Sequence, residues 1–281
     1  MPSWIEINGL QKSMDDFQLG PISLAIEPGT ITALVGNNGS GKSTLLKLVM
    51  NLANADAGSI EVFGKPVDGK DESWKRKLAF QPQKIIGWDA YTGTTLKKMI
   101  SSFYEKWDEA LFERIVRLFD IPLDKRFGKL SEGMQQKLSL ALALPRNTDV
   151  LILDEPTAFL DIPSKRYFMD LLIDWMEAEE RAIIIASHQT DDLRKLADYL
   201  FVMREGKAIG HYEKETLLES YRRYWLDETP DGSVPGEVSR DRQRIVSADP
   251  AAAEHYFAVE NIRIIDHAAL DLEEIIDMLL K

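Results

Sequence analysis

The chain has 281 residues, 44% hydrophobic and 28% charged, which suits a folded protein with one large core and a small appendage. Its 34 Lys+Arg against 46 Asp+Glu leave a formal charge of −12, which disfavours a general nucleic-acid binder. It has no cysteine, so disulfides, thiolate metal sites and cysteine nucleophiles are excluded, and a reducing compartment suits it.

The opening stretch, MPSWIEINGLQKS, has acids early and no apolar core of signal-peptide length. No window approaches about 18 uninterrupted apolar residues, so the expectation is a chain that spans no membrane and is anchored, if at all, by another chain.

In chain order, SWIEINGL alternates apolar and polar residues as a half-buried strand does. PISLAIEPG and ITALVG read as two more strands, with Glu27-Pro28-Gly29 as the turn between them. KSTLLKLVMNL then has helical spacing. From about 84 to 145 the chain reads as a helical insert, because TTLKKMISSFYEKWDEALFERIVRLF carries apolar residues at steps of three and four. DVLILDEP and RAIIIASH are short apolar runs bounded by charge, suited to parallel strands buried on both faces. SKRYFMDLLIDWMEAEE and DDLRKLADYL read as the helices after them. This alternation implies an α/β sheet. Residues 227–240, DETPDGSVPGEVSR, read as a linker. Beyond them, RQRIVS reads as a strand and LDLEEIIDMLLK as an amphipathic helix, a small appended unit.

Between the ITALVG strand and the first helix stands GNNGSGKST. Gly36 and Gly41 bracket a G-x-x-x-x-G-K-[ST] pattern, so residues Gly36, Asn37, Asn38, Gly39, Ser40, Gly41, Lys42, Ser43 and Thr44 form a phosphate-binding loop. Glycines let backbone N–H groups turn toward phosphate oxygens, and the helix adds its N-terminal dipole. Lys42 would reach the β- and γ-phosphates, and Ser43 would ligate Mg²⁺. VLILDEP supplies the second acid: Asp154 would hold Mg²⁺ through its water shell, and Glu155 would orient an attacking water. No Asn-Lys-x-Asp guanine reader is present, which argues against a GTPase.

KLSEGMQQK lies between these motifs, with Ser131 placed as an N-cap. Here the chain resembles the ATPase subunits of ABC transporters, whose Leu-Ser-Gly-Gly-Gln signature precedes the acid-bearing strand. Leu130, Ser131 and Gly133 match it; Glu132 and Met134 depart from it, as in a bacterial Leu-Ser-x-Gly-Met branch of bacitracin-exporter-like and YtrB-like ATPases. The resemblance covers about residues 3–215. It implies a P-loop NTPase core with a mixed sheet, an antiparallel β subdomain, a helical insert and a small C-terminal extension, divided as 1–226 and 227–281. It implies that Ser131 and Gly133 bind the γ-phosphate of ATP held by a second subunit, in a head-to-tail dimer of identical chains or of paralogues. It also implies that Gln83, with Gln81 as competitor, joins core and insert beside the metal, that Asp161 crosses the dimer, and that His188 is a switch histidine. Met14 or Phe17 would stack on the base. The implied function is ATP hydrolysis, with Glu155 as base and Lys42 and His188 steadying the transferred phosphoryl group. Hydrolysis would drive movement, in the export direction, through a separate integral membrane permease at the cytoplasmic face. A translation-type relative would need two such domains and a repair-type one a long coiled coil or zinc modules. A dead binding module would lack the intact Lys42, Asp154, Glu155 and His188.

Overall fold

The computed structural model describes every residue except Met1 and Asp15, leaving out also the side chain of Asp191. Three sheets organise the chain. The first is antiparallel: β1 (Ile5–Met14), β2 (Phe17–Ile26), and, after β3 (Ile31–Val35) and α1 (Lys42–Val49), β4 (Ala57–Val62) and β5 (Lys65–Pro66), in the order β2-β1-β4-β5. The glycine loop runs directly from β3 into α1.

The central sheet continues with β6 (Leu78–Gln81). Three insert helices follow: α2 (Gly93–Ser101), α3 (Glu109–Leu118) and α4 (Glu132–Ala143). Their starts are fixed by Thr92, Asp108 and Ser131, whose side chains each accept a first-turn N–H. The chain returns as β7 (Val150–Asp154), α5 (Ile162–Ala178), β8 (Ala182–Ser187), α6 (Thr190–Leu196), β9 (Tyr199–Arg204) and β10 (Lys207–Glu213). The strand order is β10-β9-β3-β8-β7-β6, parallel throughout except for the antiparallel edge strand β10.

Strand periodicity explains the two cores. In β7 and β8, Leu151, Leu153, Ile183 and Ile185 pack toward the insert and α5. Their neighbours Val150, Ile152, Ile184 and Ala186 pack toward α1 and the antiparallel sheet. Both faces are covered, so these strands read as continuous apolar runs.

DDLRKLADYL divides differently from its helical reading. The helix stops at Leu196, and Tyr199 already belongs to β9. Asp198 makes the corner: its N–H donates to Ile31 O at 2.9 Å, and its carboxylate accepts the Ile31 N–H at 2.8 Å. Tyr199–Val202 then pair with Thr32–Val35 of β3.

After α7 (Lys214–Ser220) come β11 (Arg222–Leu226), β12 (Glu237–Asp241), β13 (Arg244–Ser247), α8 (Pro250–Val259), β14 (Ile264–Ala269) and α9 (Leu272–Leu279). The third sheet, β12-β13-β11-β14, therefore begins at Arg222, and the stretch read as a linker contributes β12. One face of this sheet, with Tyr224 and Ile245, packs on Phe257 of α8 in its own small core. From the other side, Val246 joins α9 in the main core.

Candidate functional site

Register builds the site. Asp154, the last residue of β7, lies beside Ala186 of β8. The residues just past these strand ends are therefore neighbours. Glu155 takes a left-handed conformation, φ 49°, and its N–H donates to Ala186 O at 2.9 Å. Its carboxylate, almost fully buried, meets Nδ1 of His188 at 2.8 Å, while His188 keeps 48% of its side chain exposed.

The glycine loop faces this pair. Lys42 is 6% exposed, and its Nζ donates to Gly36 O at 2.6 Å and Asn37 O at 3.3 Å. Gly41, at φ 103°, ends the loop without a side-chain cap, so the first N–H groups of α1 have no acceptor earlier in the helix. They open on a cleft of about 580 Å³ bordered by Asn38, Gly39, Ser40, Thr44, Gln83 and Glu155, with Met14 and Phe17 at one end. Ser43 Oγ donates to Asp154 Oδ1 at 3.0 Å.

The buried charges oppose one another. Burial pushes the Asp154 carboxyl above the usual carboxylate range, and Glu155 adds to the rise; Ser43 and Lys42 oppose it. Burial lowers the Lys42 ammonium, against the attraction of Glu155 and Asp154. The arrangement can hold a polyanion: amide donors and an ammonium face it, and a carboxylate–imidazole pair sits alongside.

Gln83 lies two residues beyond β6, exposed, and borders both this cleft and a second one of about 660 Å³. Gln81 is buried at the strand end. Its amide donates to Pro82 O, and its Oε1 has no partner.

Ser131, Gly133 and Asp161 do not border the cleft of Lys42. Ser131 caps α4, its Oγ accepting the Met134 N–H at 3.4 Å, and Gly133 lies in the first turn. Asp161 caps α5. The Ser164 N–H, then the Ser164 hydroxyl and Lys137, hold its carboxyl well below the usual range. Ser131, Gly133 and Asp161 thus lie at the starts of α4 and α5, apart from the cleft of Lys42.

The structure adds residues that sequence reasoning missed. Gln136 of α4, buried, donates through Nε2 to Pro156 O at 2.8 Å, and Lys137 donates to Asp161 at 3.1 Å. These bonds tie the helix of Ser131 to the turn after Glu155. Thr157 donates to Asp192 at 2.8 Å, and Lys165 of α5 bonds Gln189. Gln136 leaves one trace in the sequence: it shares helix spacing with Leu140 and Ala143, so a polar residue interrupts an apolar stripe.

Residues 19–158 match the family model described as ABC transporter. A relative, the zinc uptake system ATP-binding protein ZurA of Listeria innocua, is 31% identical, over 78% of this chain and 94% of its own. The chain belongs to the ABC transporter family. Another relative, the ABC transporter ATP-binding protein YtrB of Bacillus subtilis, is 29% identical, over 77% of this chain and 74% of its own. The Nod factor export ATP-binding protein I of Burkholderia orbicola is also 29% identical, over 88% and 78%. Among solved structures, an ATP-binding subunit of an ABC transporter superposes with a TM-score of 0.70 at 21% identity, over 77% of this chain and 92% of its own. A Clostridium perfringens subunit, part of the ABC transporter complex cbiONQ, gives 0.60 at 27% identity, over 76% and 89%.

The protein is an ABC transporter ATP-binding subunit: it binds ATP and hydrolyses it, as the family does. ATP-binding subunits of ABC transporters are membrane-associated and work with permease subunits. Among the described residues, no helix is long and apolar enough to cross a membrane.

Proposed function

We propose that this ABC subunit hydrolyses ATP with Glu155 as general base, in a head-to-tail pair with a second ATPase subunit. The pair drives substrate outward through a separate membrane permease at the cytoplasmic face. The observation that carries the chemistry is the 2.8 Å contact of Glu155 with His188 beside Lys42.

The triphosphate lies along the N-terminus of α1, its oxygens accepting the free N–H groups, and Lys42 exchanges its two carbonyl partners for phosphate oxygens. Ser43 and Asp154 offer hard oxygen donors 3.0 Å apart, which fits Mg²⁺, a cation held by one or two protein oxygens plus phosphate and water. Gln83, which borders the same cleft, would meet the metal through its water shell. When bound, Mg²⁺ neutralises phosphate charge. Glu155 takes a proton from water as its oxygen bonds to the γ-phosphorus and the bond to the β-phosphate oxygen breaks, leaving ADP and phosphate. His188, bonded to Glu155 and half exposed, steadies the carboxylate and the transferred group.

Ser131 and Gly133 lie away from Lys42, so they serve the nucleotide of the partner subunit, with Asp161 at the crossing. The cleft beside Gln83, rimmed by Ile86, Phe127, Glu132 and Phe159, receives the permease; Ile86 is 85% exposed there. Export rests on the Leu-Ser-x-Gly-Met pattern at 130–134 and on a C-terminal extension beyond the ATPase domain, here the unit from Arg222 to the end.

The test is an affinity pull-down of tagged Glu155→Gln protein with ATP from detergent-solubilised membranes, read by mass spectrometry. Recovery of a multi-span protein supports the reading. Recovery of ribosomal or DNA-repair proteins without a membrane protein overturns it.

A further inference from the structure

One residue, Gln189, separates His188 from α6, and α6 is held from three directions. At its start, Asp192 Oδ2 accepts the Thr157 hydroxyl at 2.8 Å; Thr157 is 1% exposed and two residues beyond Glu155. At its end, Asp198 is bonded both ways to Ile31, and Lys214 Nζ donates to Arg194 O at 3.1 Å. Along its apolar flank, Leu193 and Leu196 are buried in one cluster with Leu272, Ile275 and Ile276 of α9. The C-terminal sheet in turn fastens α9: Arg223 of β11 pairs with Glu274 at 2.5 Å.

Both arms of the catalytic pair therefore meet at α6. The Thr157–Asp192 bond joins the turn that carries Glu155 to the helix that follows His188. His188 is half exposed and, among the described residues, has a single side-chain bond, to Glu155, so its ring is placed mainly by the backbone around it. A displacement of α6 by about 1 Å would stretch the 2.8 Å contact past hydrogen-bond distance.

We propose that α6 transmits the seating of the C-terminal unit to the catalytic pair: Asp192 is a positioning residue that sets His188 against Glu155, and α9 is the brace that keeps the helix of Asp192 in place. The inference rests on the reading of Glu155 and His188 given above. It goes beyond that reading in giving residues 222–281 a part in the chemical step, by way of a helix that does not border the cleft of Lys42.

The test uses the purified full chain, steady-state ATP hydrolysis and thermal melts that confirm folding. Thr157→Val removes the hydroxyl and keeps the shape. It lowers kcat about tenfold and leaves the KM for ATP within about twofold, since a positioning defect acts on chemistry rather than on binding. Thr157→Ser restores the hydroxyl and the rate, which a mere packing role would not produce. Ile275→Ala, with Ile275→Val as a milder version, lowers kcat in the same direction without raising KM. The double variant Thr157→Val/Ile275→Ala is no slower than about the worse single one, because both act through α6. A wild-type kcat in folded Thr157→Val protein overturns the proposal, as do a raised KM at unchanged kcat or two losses that multiply as independent effects. Glu155→Gln serves as the control that keeps two failures apart. Full turnover in that variant condemns the base assignment, whereas lost turnover there with full turnover in Thr157→Val condemns the α6 proposal alone.

Discussion

Replacing Gly36 by Ala tests how the phosphate loop is held. A Cβ at Gly36 would lie 2.2 Å from the carbonyl oxygen of Met203 and 2.7 Å from Ser40 Oγ. Met203 belongs to β9, a central strand, so the relief must come from the loop. Restoring an ordinary contact needs roughly 1 Å of movement away from β9. Overpacking of this kind costs about 1–3 kcal/mol, and a backbone neighbour puts this case at about 2–3. At about 2–4 °C per kcal/mol, the nucleotide-free melting temperature falls by about 4–12 °C. Gly39→Ala is the comparison. Its φ of +81° is unfavourable for a side chain, but nothing lies within 4 Å, so only backbone strain of about 1–2 kcal/mol enters. The same 1 Å of displacement misplaces the amide cradle, which is worth up to about 10²-fold in kcat/KM. The assay is thermal unfolding of both variants with and without ATP, where saturation at 100 times Kd adds about 2.7 kcal/mol to the wild type. If Gly36→Ala melts at or above Gly39→Ala and keeps the full ATP-dependent rise, the contact with β9 does not fix the loop.

Three further outcomes are expected. Asp154→Asn stabilises the nucleotide-free protein at neutral pH, because burial raises the Asp154 pKa and its ionisation opposes folding; the gain shrinks as pH falls through the raised value toward the ordinary range near 4, as denaturant titrations at both pH values would record. Phe17→Ala and Met14→Ala each weaken ATP about fivefold or less, the worth of one stacked side chain, and leave inorganic triphosphate binding unchanged; equal losses for both ligands would exclude base stacking. Tyr224→Phe costs about 1–2 kcal/mol, because the buried hydroxyl donates to Glu254 at 2.9 Å, and urea unfolding measures it.

The loop, the acid strand and the start of α4 were legible because their causes are local. A lysine after glycines, acids at the end of an apolar run and a serine before a helix each declare themselves within a few residues. The approach of His188 to Glu155 was not legible. The resemblance marked His188 as a switch histidine and Glu155 as the base, but only the Asp154–Ala186 register brings the two together. The start of β9 was missed because Asp198 turns the chain by bonding Ile31, which is distant in sequence. The linker reading of 227–240 failed for a similar reason. Pro, Gly and Asp dominate its first half, yet Glu237–Asp241 gains a partner in β13 that composition does not reveal. Thr157, Asp192 and Gln136 left little or no trace, since each matters through a single long-range hydrogen bond.

The central claim is that Glu155 is the base for hydrolysis in a nucleotide-closed pair of subunits. The most direct measurement follows Glu155→Gln and wild-type protein together, by ATP turnover and by sedimentation with ATP and Mg²⁺. The variant should bind ATP, lose turnover and sediment as a dimer, while the wild type turns over and returns to monomer. Wild-type turnover in the variant, or a monomer with ATP bound, would contradict the claim.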